Sequence, residues 1–115
     1  GGNLAYVSMG LFSELQAGVA LSPGLWAQPG LEPLLTGAGL EDFAPHTMLY
    51  LVGEDDLLPL ADNQELSYPG FALDLVEKTS DPKSLKIFGT QAHGLILLQS
   101  EQAVEIILFW LETHL

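Results

Sequence analysis

The chain has no cysteine and no arginine among its 115 residues. Without a thiol there is no disulfide frame, no thiolate nucleophile and no cysteine-based zinc site, and the compartment stays open between cytoplasmic and secreted. Cations are scarce altogether: Lys78, Lys83 and Lys86 stand against 15 acidic residues, for a net charge of −12. Nucleic-acid binding requires Lys and Arg to neutralise phosphates, so a nucleic-acid partner is not expected. Long-range repulsion likewise disfavours polyanionic substrates and anionic membrane surfaces. No apolar run reaches the length of about 18 residues that a membrane span needs, and no signal peptide is visible. The phosphate-cradling patterns G-x-G-x-x-G and G-x-x-x-x-G-K-[ST] are missing. The acids Asp55, Asp56, Asp62 and Glu65 do not follow the spacing of a calcium loop, so neither a metal nor a cofactor is expected. There is no internal repeat and no low-complexity tract.

What is present is apolar. Hydrophobic residues make up 48% of the chain and charged residues only 16%, a balance that fits a piece of a larger fold better than a small free-standing domain, whose surface fraction is high. Helix and strand signals alternate. Residues 3–15 read as a helix, with Leu4, Val7, Leu11 and Leu15 on one stripe. Residues 16–22 read as a short strand stopped by Pro23 and Gly24, and residues 31–35 as a short helix. Residues 45–52 form a near-continuous apolar run, as in parallel strands covered on both faces. A connection follows over 57–68. A helix then runs to about Lys78, with Pro69 in its first turn, Ser67 as cap and Ala72, Leu73 and Val76 as its buried stripe. Asp81 and Pro82 read as a turn, 84–88 as a third strand, 89–98 as a loop, and 101–114 as a helix with Val104, Ile107, Leu108, Leu111 and Leu115 on one face. The order α-β-α-β-α-β-α implies an α/β fold: three parallel strands with flanking helices and right-handed crossovers. The first strand would keep an unpaired edge unless another segment adds beside it.

Ligands bind at the carboxyl ends of strands in such sheets. Two chemistry-bearing groups fall there: the acids Glu54, Asp55 and Asp56 after the second strand, and His93 after the third. Adjacent strands lie about 5 Å apart, within reach of an acid–imidazole hydrogen bond. Such a bond fixes the tautomer of a histidine and stabilises its protonated form during proton transfer. Acid followed by histidine, each after a strand, is the second and third part of a Ser…Asp…His order.

In sequence the chain resembles the C-terminal half of an α/β-hydrolase, of the esterase or dienelactone-hydrolase-like kind. Gly1-Gly2-Asn3-Leu4-Ala5 is similar to the end of an elbow G-x-S-x-G-G-N-L-A, with Gly1 as its last motif glycine. Val19 to Gly24 resembles the family's sixth strand and following turn, Leu49 to Asp56 its seventh strand and acid turn, Ala92-His93-Gly94 its histidine loop, and Phe109-Trp110-Leu111 its last helix. The resemblance implies that residues 1–115 are the C-terminal part of a single hydrolase domain, with its sheet completed by a missing N-terminal segment. It implies a serine hydrolase acting on carboxylic esters or related acyl substrates. His93 would be the general base and Asp56 the triad acid, with Asp55 as alternative and Glu54 after it. Gly1 and Gly2 would be the elbow remnant, and Ser22, Leu25 and Trp26 pocket-lining candidates. The nucleophilic serine would lie on a companion segment or chain, so this chain alone is expected to be inactive.

Two other readings belong to different classes. One is a non-catalytic α/β-hydrolase-like binding module in which the elbow serine is replaced. The other is a small flavodoxin-like ligand-binding domain of three strands. His46, before a strand, reads as structural, and His114 as a cation at a helix C-terminus. Ser8 and Ser13 lack a G-x-S-x-G context, as does Ser22.

Overall fold

The structure, a computed structural model, describes residues 1–24, 37 and 40–115. Leu25, Trp26 and the helix expected over 31–35 lie outside the described residues. Strands β1 (Gly18–Leu21), β2 (His46–Gly53) and β5 (Ser80–Phe88) form a three-stranded sheet in the order β1-β2-β5, and both pairings are parallel. A short antiparallel ribbon, β3 (Leu57–Pro59) and β4 (Glu65–Ser67), stands apart from it. Helices α1 (Gly2–Leu11), α2 (Tyr68–Glu77) and α3 (Glu101–His114) complete the order.

β2 is central because it alone is apolar on both faces: from Thr47 to Gly53 every residue is buried. Alternation splits that run between two cores. Met48 and Tyr50 point to one face, where they meet Tyr6 and Met9 of α1, Ala20 of β1 and Leu75 of α2. Leu49 and Leu51 point to the other, against Ala103 and Trp110 of α3 and Leu97 of the preceding turn. Two helices thus cover one face and one helix the other.

Several sequence expectations are corrected in detail. Helix α1 stops at Leu11, and its buried side is Asn3, Tyr6, Met9 and Gly10; Leu4 is 64% exposed, and Leu11 and Leu15 are exposed as well. Close approach selects that side: a Cβ on Gly10 would run into the ring of Phe43. In α2 Leu75 takes the place expected of Leu73, which is exposed, while Val76 is half-buried against the core. In α3 the sheet is met by Ala103 and Trp110, with Ile107 and Leu111 half-buried; Val104, Leu108 and Leu115 face outward. Asp81 and Pro82 belong to β5 and form no turn. They oppose the single residue Thr47, between the pairs His46–Ser80 and Met48–Lys83, as a bulge. Proline is tolerated there because β5 is an edge strand. Thr47 sits at φ +53 opposite that bulge.

Caps follow the sequence. The Ser67 hydroxyl accepts from the Gly70 N–H at 3.1 Å and starts α2; the Ser100 hydroxyl does the same for α3 through the Ala103 N–H at 3.3 Å. No helix among the described residues is long and apolar enough to cross a membrane.

Candidate functional site

A cleft of about 550 Å³ opens at the carboxyl end of β1, beside the start of α1, Tyr68 and the loop after β5, lined in part by Gly1, Gly2, Ser22, Tyr68, His93 and Leu95. No described residue lining it is an Asp, Glu or Lys.

The acid turn is built on Gly53. The chain leaves β2 and closes a turn in which the Asp56 N–H donates to the Gly53 carbonyl at 3.2 Å. The loop after β5 is tied to the same turn: Glu54 N–H donates to Phe88 O at 2.7 Å and Asp55 N–H to Thr90 O at 3.0 Å. Only glycine fits at position 53, since a Cβ there would collide with the backbone carbonyl of Thr90 and come to 3.0 Å from that of Ala92. This backbone stitching carries the acid turn and the histidine loop as one unit.

Of the three acids, Glu54 and Asp55 point to solvent, whereas Asp56 is buried at 6% exposure. Its Oδ2 lies 2.7 Å from Nδ1 of His93. A carboxylate can only accept, so Nδ1–H is the donor, which fixes the neutral imidazole with its lone pair on Nε2. The His93 side chain is half exposed. The pair therefore joins a sheltered acid to an imidazole open to the cleft, the arrangement needed to take up a proton from a bound hydroxyl and return it to a leaving group. The expected pairing of His93 with Asp56 is present as geometry; Asp55 makes no such contact.

Other groups hold the site from its far side. The Ser22 hydroxyl accepts from the Gly94 N–H at 2.9 Å. Gly2 allows α1 to begin close to the strand: a Cβ there would come within 2.8 Å of the Leu21 carbonyl. Gly1 caps α1 through backbone alone, its carbonyl accepting from the Ala5 N–H at 3.0 Å. The α1 N-terminus thus lines the cleft, and the N–H groups of a first helical turn, which have no partner within the helix, favour developing negative charge.

Two residues had no role in the sequence reading. The Asn3 side chain clamps both sides of the Gly24 peptide, accepting from its N–H at 2.8 Å and donating to its carbonyl, and so joins α1 to the turn after β1. Tyr68 donates its N–H to the Asp56 carbonyl at 3.1 Å and sets its ring edge-to-face on the His93 imidazole, centroids 4.6 Å apart. The signal for Asn3 was its place in the Gly-Gly-Asn-Leu-Ala string. For Tyr68 it was an aromatic directly before the helix-starting Pro69. His46 bonds Thr47 Oγ1 at 2.8 Å, and His114 packs on Trp110, both away from the cleft. Among the described residues no group of three or more His, Asp and Glu could hold a metal ion.

Compared with family models, with curated proteins and with solved structures, the chain finds no match.

Proposed function

We propose that this chain supplies the acid and base of a serine hydrolase of the α/β-hydrolase fold, acting on carboxylic esters or related acyl substrates. The observation that carries the reading is the 2.7 Å bond from His93 Nδ1 to buried Asp56 at the carboxyl edge of a parallel sheet. A serine on a companion segment or chain attacks the acyl carbonyl, His93 Nε2 takes its proton and passes it to the leaving alcohol, and Asp56 holds the imidazole. Water activated by the same histidine then releases the acid. The companion would add to the free edge of β1, beside the outward leucines of α1. A cleft without ionised carboxylates or lysines suits a neutral acyl substrate.

Intact-mass spectrometry of the purified protein, under denaturing conditions and with and without a fluorophosphonate probe, tests this. The expected result is a second segment or polypeptide that gains one probe mass while residues 1–115 gain none. A companion that stays unlabelled would leave a binding module with a replaced nucleophile. This chain found alone, folded and unlabelled, would end the two-part reading.

A further inference from the structure

We propose that Ser22 is a positioning residue for His93, holding the histidine loop to β1 through the peptide that follows the imidazole. The inference rests on the acid–base reading of Asp56 and His93. Ser22 is fixed at both ends of its own unit: its N–H donates to the Leu51 carbonyl at 2.8 Å, extending the β1–β2 ladder by one residue, and its side chain is buried. It stands at φ +48, a left-handed conformation that an L residue adopts only at a cost. Its hydroxyl accepts from the Gly94 N–H at 2.9 Å, across 72 positions of sequence.

The backbone ties to the acid turn end at Thr90, and the His93 carbonyl accepts from the Ile96 N–H at 3.4 Å. Gly89 and Gly94 have open space where a Cβ would stand, and Gly94 is itself at φ +61, so side-chain packing does not pin the peptide there. Upstream the Ala92 N–H is held by the Thr90 hydroxyl at 3.1 Å, and downstream the chain is anchored again at buried Leu97. Between them the ring is met by Asp56 on one nitrogen and by Tyr68 on its face. A single side-chain hydrogen bond leaves an imidazole free to pivot about it. A tie on the adjacent peptide removes that freedom, which is how a supporting hydrogen bond improves the aim of a proton-transfer group. Ser22 acts through His93 and takes no part as nucleophile.

The test is proton NMR of the ¹⁵N-labelled full chain, following the downfield Nδ1–H resonance of His93 and its exchange with water. Ser22→Gly removes the hydroxyl and relaxes the φ +48 backbone, and Ser22→Ala removes the hydroxyl while keeping the Cβ. The expected result is a wild-type resonance whose solvent exchange is faster by about tenfold in both variants, the size of one lost hydrogen bond. Amide protection of Ala20 and Leu51 should stay unchanged. A wild-type resonance with unaltered exchange in both variants overturns the role of Ser22 and leaves the acid–base pair standing. Loss of protection along β1 and β2 in both variants also overturns it, since the hydroxyl would then be holding the sheet. No Nδ1–H resonance in the wild type overturns the acid–base reading, and this inference with it.

Discussion

At the scale of single residues, two neighbouring aspartates separate cleanly. Asp56 is buried against the imidazole, whereas Asp55 is exposed and is engaged through its backbone N–H and carbonyl. On the proposed hydrolase reading, Asp56→Asn is expected to lower kcat of the assembly with its companion by on the order of 10⁴-fold, because an amide favours the wrong histidine tautomer. Asp55→Asn should leave it within about twofold. Steady-state rates on a neutral aryl ester check both, and equal losses would reject the assignment. Tyrosine gives a second residue-scale prediction. Burial pushes the Tyr6 phenol up to about 12, with the Asp74 carboxylate adding to the shift. Burial also raises Tyr50, against the opposing effect of its 2.5 Å bond to the Thr79 hydroxyl. A phenol held protonated in the fold stabilises it fully below the ordinary value of about 10, and that contribution disappears as pH climbs through the raised value. Stability should therefore fall above pH 10 by about 1.4 kcal/mol per pH unit for each buried phenol, read by urea unfolding across the alkaline range. Tyr50→Phe should lose about 1 kcal/mol at neutral pH and shed its share of the alkaline slope.

At the scale of elements, the contact between the acid turn and the histidine loop depends on Gly53. Gly53→Ala should destabilise the fold by about 1–3 kcal/mol, since two backbone carbonyls and no flexible side chain block the added methyl. Chemical denaturation measures this, and a neutral result would mean that the loop after β5 moves freely away from β2. The same elements mark what was legible in the sequence. The buried run of β2, the three parallel strands, the Ser67 cap and the Asp56–His93 pairing could all be read, because long apolar runs and strand-end polar groups carry strong local signals. The facing sides of α1 and α3 could not. Leucine is plentiful around both helices, but the buried sides carry small residues, Gly10 against the Phe43 ring and Ala103 in the core against β2. The β3–β4 ribbon was read as a plain connection because three-residue strands are too short to display a period. Asp81 and Pro82 mimicked a turn because proline on an edge strand and proline in a turn look alike until the partner strand is known.

At the scale of the molecule, the charge imbalance and the outward leucines work in opposite directions. A net charge of −12 opposes self-association, while Leu4, Leu11 and Phe12 leave apolar surface in the open around α1. A companion that covered those residues would relieve both, provided it were less acidic. The imidazole is met by Asp56 and Tyr68 and the peptide after it by Ser22, which stand after β2, at the start of α2 and after β1. None of these three is local to His93 in sequence, so the set comes together only with the tertiary fold. On the proposed hydrolase reading, an unfolded or clipped polypeptide stays chemically silent until β5 has docked. Folding itself is, on that reading, the latch on the chemistry.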